Sequence, residues 1–417
     1  MIVTRIPKGL RDILPVEAFE RRELESRLRG LFTSWGYGEV ITPTFEYYDV
    51  LSSETGELIQ REMFKFFDRD GRAVALRPEL TTPIARLTAQ RLRGEALPCR
   101  LFYISNVFRE EQPQRGQQRE FYQAGVELIG ASDPAADAEV VSLLVTSLRK
   151  LGLRRFRIGL GQVEFVRGFI EDQSVPIEVR PLLRDALVDK NLVALEELSH
   201  RVPARVGEAI VRLPVLRGEV WDEAADLVIG EQSERALEGL KAVWSILEHT
   251  GDIEHLAIDL GIIRNFEYYT GTIFEGYAEG LGFPICGGGR YDNLLGEFGY
   301  PQAATGFQLG LERVHIALSE EGNLPAAGET RILVGFQLDP GAMFQVSELL
   351  REKGFVALGA LEWISVERGA ELAKAHGCEW FVLADGPEGD CLLVEATSGR
   401  PAKEERVSPG ALGGRLS

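Results

Sequence analysis

Cysteine, histidine and methionine are scarce in this 417-residue chain, at four, five and three copies. Cys99, Cys286, Cys378 and Cys391 stand far apart and form no CxxC, so neither a disulfide framework nor a metal site is indicated. Such cysteine usage suits a reducing compartment. The histidines are scattered without HExxH, and no metal is expected. No stretch approaches 18 uncharged apolar residues, and the opening MIVTRIPKGLRDILP has no apolar signal core. Membrane spanning and secretion are therefore not expected, and a cytoplasmic location is. Positive charge is short as well: 46 Lys and Arg stand against 64 Asp and Glu, a net of −18. A protein that grips a polyanion usually shows a basic face, so the balance speaks against a nucleic-acid partner. There is no GxxxxGK[ST], nor a GxGxxG between a strand and a helix, and no cofactor is expected.

What is present is an ordinary globular composition, 45% hydrophobic and 26% charged, on a chain long enough for two or three domains. Apolar residues at helical spacing from Leu24 to Trp35 predict a helix over 16–35, with Pro15 in its first turn and Gly36 as its stop. A second helix should begin at Thr82-Pro83, and a third should run from an Asp133 cap to a Gly152 stop. Residues 163–253 read as mostly helical. Beyond a linker at 321–330, strands and helices alternate over 330–400 as a small α/β domain, and 401–417 reads as a loose polar tail.

The most informative segment is a predicted hairpin. RLFYISNVFR (100–109) and REFYQAGVELIG (119–130) read as strands joined by a polar loop containing Pro113 and Gly116. Period-two alternation puts Arg119, Gln123 and Glu127 on one face, and pairing of Arg109 near Arg119 would draw a polar row across an apolar sheet. Buried polar groups need partners or a ligand, and the residues alone allow either a ligand or an internal salt-bridge network. Further along, RNFEYYTG (264–271) precedes CGGGRYDNLL (286–295), which reads as a tight turn or a close backbone approach. Arg313 falls in the first turn of a helix, where a cation opposes the dipole.

Taken in order, these segments resemble the histidyl-tRNA synthetase family over most of the chain. GYGEVITPTFE (36–46), FREEQPQRGQQREFYQAGVE (108–127) and GFQLGLERV (306–314) look like class II motifs 1, 2 and 3. RNFEYYTG and GGGRYD look like the two histidine signatures. The resemblance implies an α+β fold: a six-stranded antiparallel sheet flanked by helices over residues 1–320, carrying the helical insertion, with 330–400 resembling a degenerate anticodon-binding domain. It also implies a homodimer core with Pro43 at the interface.

By the same resemblance, Glu79 and Thr81 would hold the amino group of histidine, and Gln123 and Glu127 its amino and imidazole ends. Arg264 would face its carboxylate, Tyr269 and Tyr291 would close the pocket, Arg109 and Tyr268 would belong to the same histidine-binding set, and Arg313 would be the nucleotide arginine. Departures are equally specific. Gln112 and Gln117 stand where the synthetases carry phosphate-gripping arginines, each such charge-assisted bond being worth about 1.5–3 kcal/mol. LRPELTTPIARL (76–87) departs from an EGTA-like run, although Arg264, Arg109 and Glu111 remain.

IPKGLRDILPVEA, the 54–87 run and REFYQAGVELIG look more like an offshoot, the regulatory subunits of the short-form ATP phosphoribosyltransferase. That resemblance implies a non-catalytic protein, with the short catalytic subunit as partner in a hetero-octamer and L-histidine as feedback effector in the first step of histidine synthesis. The alternatives are an active histidine–tRNA ligase and a free-standing histidine sensor.

Overall fold

The computed structural model describes residues 5–52, 60–110, 118–263, 268–326, 330–384, 390–396 and 405–416. The chain divides into two compact units, Met1–Pro325 and Ala326–Ser417.

The larger unit is built on a nine-stranded sheet, three strands more than the six expected. Its centre is the antiparallel run Cys99–Phe108, Glu120–Ile129, Ala304–Gly310, Cys286–Arg290, Thr272–Ala278, Phe156–Gln162. The additions are short edge strands: Gly38–Glu39 pairs parallel with Cys99–Phe108, while Leu256–Asp259 and Arg217–Gly218 extend the other side. Two of these edges are two residues long, too short to leave a period-two signature.

Helices cover one face. Pro15–Ser34 starts on its proline and buries Leu24, Leu28 and Phe32. Pro134–Leu151 is capped by the Asp133 carboxylate, which accepts the Ala135 N–H at 2.9 Å, and ends where Gly152 turns left-handed at φ 103°. The insertion is helical, from Val163–Ile170 to Gly230–Leu247, and its apolar residues join the main core. Cys286–Arg290 is a strand, not a turn. The close-approach reading of its glycines fits, since a Cβ on Gly288 would fall on the Gly306 carbonyl of the next strand.

The smaller unit has a five-stranded sheet in the order Val356–Gly359, Arg331–Phe336, Trp380–Ala384, Cys391–Glu395, Glu405–Val407. The first three strands are parallel and the last two antiparallel, with helices Pro340–Glu352 and Val366–Ala375 between the parallel ones. The reading of 401–417 as loose fails over 405–416, where a strand and the helix Leu412–Leu416 bury Val407, Leu412 and Leu416. Among the described residues no helix is long and apolar enough to cross a membrane.

Candidate functional site

Directly opposed residues of an antiparallel pair share a face of the sheet. The registers therefore put Ser105, Gln123 and Gly310 in one row, Tyr103, Gly125 and Gln308 in the next, and Leu101, Glu127, Gly306 and Gly289 in a third. Arg109 N–H donates to the Arg119 carbonyl at 2.9 Å, which completes the expected hairpin pairing. Glycine makes this face concave. A Cβ on Gly125 would sit 2.5 Å from the Tyr103 hydroxyl, and one on Gly306 would fall on the Glu127 carboxylate.

Glu127 lies in that hollow, 2% exposed. Its Oε2 accepts the Tyr291 hydroxyl, and the Thr81 hydroxyl bonds it as well. Burial pushes its carboxyl up to about 8 against the pull of those bonds, and nearby Glu79 adds to the rise. Glu79 caps the helix Thr81–Arg91: its carboxylate accepts Thr81 N–H at 2.5 Å and Thr82 N–H at 3.1 Å. Burial raises its pKa too, offset in part by its bonds with Thr82 and Thr81 and by the charge of Arg109. Arg109 is held in place by donating Nε to the Pro78 carbonyl at 2.9 Å, with its guanidinium 5.5 Å over the Phe121 ring.

Tyrosines form the wall. Tyr268 stacks on Tyr291 at 5.4 Å and meets Tyr269 edge-on at 4.9 Å. Gln123 is 2% exposed, and its Oε1 has no hydrogen-bond partner among the described residues. A buried amide oxygen without a donor costs about 1–3 kcal/mol, which a ligand N–H would recover.

Of the residues singled out from the sequence, the structure thus groups Glu79, Thr81, Glu127, Tyr268, Tyr269 and Tyr291 through direct contacts. Arg109 is linked through Glu79, and Gln123 lies on the same strand face. Arg264 lies outside the described residues, as do Glu111, Gln112 and Gln117. Pro43 is exposed. Arg313, odd at a helix N-terminus, donates Nη1 to the Pro284 carbonyl at 2.7 Å and lies 5.4 Å over the Phe283 ring. The GRYD segment splits across the sheet. Tyr291 points to Glu127, whereas Arg290 reaches a buried Asp137 at 3.1 Å among the helices.

Sequence reading missed Arg77. It is 2% exposed and donates to the Thr42 carbonyl at 2.7 Å, the Pro43 carbonyl at 3.2 Å, the Asn106 carbonyl at 2.8 Å and the Ser105 hydroxyl at 2.5 Å. One guanidinium thereby ties the Pro43 segment to the strand bordering the pocket. Gly125 and Gly306 were missed too, and only their registers reveal their role.

These features can be set beside known proteins. The histidyl-tRNA synthetase family model matches residues 9–314. The ATP phosphoribosyltransferase regulatory subunit of Moorella thermoacetica is 44% identical, over 90% of this chain and 98% of that one. The protein of the same name from Desulforamulus reducens is 45% identical, over 91% and 96%. Among solved structures, an ATP phosphoribosyltransferase regulatory subunit/histidyl-tRNA synthetase from Bacillus halodurans superposes with a TM-score of 0.81 at 31% identity, covering 93% of this chain and 99% of that one. A histidyl-tRNA synthetase from Nostoc sp. PCC 7120 gives 0.82 at 22% identity, covering 100% and 99%, a likeness of fold. With the motifs, the pocket and these likenesses together, the chain belongs to the histidyl-tRNA synthetase-like family and, within it, to the ATP phosphoribosyltransferase regulatory subunits.

Proposed function

We propose that this chain is the non-catalytic partner of a short ATP phosphoribosyltransferase subunit, and that its Glu79–Gln123–Glu127 pocket takes free L-histidine as the feedback effector. The observation that carries the reading is Gln123 Oε1, buried with no hydrogen-bond partner among the described residues, on the strand face that also carries the buried Glu127 carboxylate. A zwitterion with a two-sided imidazole supplies the missing N–H donors, and Arg109, with Arg264, supplies the cation for its carboxylate. Feedback requires that the active and inhibited assemblies differ in histidine affinity, by about 1–3 kcal/mol in typical couplings.

The test mixes the purified chain with the short catalytic subunit and follows transfer of phosphoribose to ATP, with and without histidine. Activity that needs this chain and falls with histidine supports the reading; a catalytic subunit indifferent to it refutes it. Histidine-dependent ATP–pyrophosphate exchange by this chain alone would instead establish the ligase alternative.

Thr81→Val probes the pocket from its rim. It removes the hydroxyl that bonds the Glu127 carboxylate, so histidine affinity should fall about tenfold while assembly with the catalytic subunit persists. Isothermal titration beside a pull-down reads both.

The family reading also carries a homodimer core and a hetero-octamer. The homodimer fits an apolar patch beside Pro43, where Ile41 is 83% exposed and Phe45, 52% exposed, meets Phe66, 41% exposed, at 5.7 Å. Ile41→Asp with Phe45→Asp should turn a dimer into a monomer by sedimentation; a dimer that survives both would move the interface elsewhere.

A further inference from the structure

Away from that pocket the acidic chain carries one dense basic run. Five of the nine residues 149–157 are Lys or Arg: Arg149, Lys150, Arg154, Arg155 and Arg157. They occupy the corner where the helix Pro134–Leu151 turns at Gly152 into the strand Phe156–Gln162. Leu153 and Phe156 are buried there, so the corner is pinned and its cations stand outward.

Two cavities adjoin this corner and share Arg154, Glu254 and His255 as a common wall. One, of about 780 Å³, adds Arg149; the other, of about 530 Å³, adds Arg155, Arg157 and Tyr277. Each is within the usual size of a small-molecule site. The His255 ring lies flat on Phe156, centroids 4.2 Å apart and 6° from parallel, which leaves its other face toward the cavities. Some of the cations have partners. Arg149 reaches Asp252 at 3.5 Å, Arg155 reaches Glu279 at 3.3 Å, and Arg157 donates to the Glu254 carbonyl. The guanidinium of Arg154 makes no hydrogen bond or ion pair among the described residues, although it lines both cavities.

We propose that this paired cavity binds a nucleotide carrying two or more phosphates, its base against His255 or Tyr277 and its phosphates on Arg154 with Arg149. A fork of N–H donors matches phosphate oxygens, and a flat ring braced from behind gives a base a stacking surface. The carboxylates of Glu254 and Glu279 line the same walls. They oppose any polyanion, but the cations are confined to this one corner, which suits a compact anion better than an extended RNA backbone.

Titration of the full chain with ATP, adenosine and inorganic pyrophosphate tests this. Arg149→Ser with Arg154→Ser, both exposed, should weaken ATP and pyrophosphate binding about tenfold or more. His255→Leu should weaken ATP and adenosine binding but leave pyrophosphate unaffected. Arg313→Ala, at the position of the synthetase nucleotide arginine, should change none of them. Loss of ATP binding with Arg313→Ala alone, or no ATP or pyrophosphate binding by the unaltered chain, overturns the assignment. Steeply salt-dependent RNA binding through the same arginines overturns the small-ligand class.

Discussion

Arg77→Ala should be among the more destabilising single substitutions in this protein, costing about 2–4 kcal/mol, since several hydrogen bonds from one charged group, each worth about 1.5–3 kcal/mol at most, are lost together. The substitution removes the donor from the buried Thr42 carbonyl and from the part-buried carbonyls of Pro43 and Asn106 and the Asn106 amide oxygen. Burial alone pulls the guanidinium pKa down, so the site is costly to charge and holds only because its donors are matched. Arg77→Lys should recover little, since one ammonium cannot span acceptors on both the Thr42–Pro43 segment and the Cys99–Phe108 strand. Urea denaturation reads the effect, and a midpoint unchanged from the parent would show that the network is not needed.

Glu127→Gln should reduce histidine affinity by about 100-fold, the upper range for a hydrogen bond to a charged group, and remove its pH dependence. The carboxyl is held near 8 by burial, against an ordinary value of 4.5. A proton is therefore bound to the free pocket at neutral pH and must leave when the carboxylate engages a ligand N–H. Histidine affinity of the parent should rise from pH 7 to 8, by up to about tenfold per unit, and then level off. The imidazole of free histidine, with an ordinary pKa of about 6.5, is mostly deprotonated over that window and adds little to the slope, which chiefly reports Glu127. Calorimetry in two buffers of different ionisation heat measures the released proton; none released, or equal affinity in the variant, sinks the assignment.

Stability moves the opposite way. A folded-state pKa above the unfolded one gives stability that is complete below about 4.5 and lost as pH climbs through about 8. Without histidine, the parent should lose ground to Glu127→Gln across that interval.

The hairpin was legible because its polar residues recur every fourth position on a strand, a local pattern that survives into the fold. The Glu79–Thr81 turn was legible only through the order of motifs, since nothing in LRPELTTP by itself says that a glutamate folds back onto the next two amides. Arg77 was invisible for a physical reason. An arginine reads as a surface residue, and its acceptors at 42–43 and 105–106 are distant in sequence. The helix at 412–416 was missed because Gly413 and Gly414 interrupt a weak signal, although Leu412 and Leu416 stand one turn apart and bury together.

The glycine floor has a consequence for regulation. Gly125, Gly289 and Gly306 present bare backbone, which has no rotamers to rearrange around a ligand. Such a floor offers no side chain that could change its grip. On the proposed feedback by histidine, a difference in affinity between active and inhibited complexes is therefore expected above it, in the tyrosine wall and the first turn of the Thr81 helix.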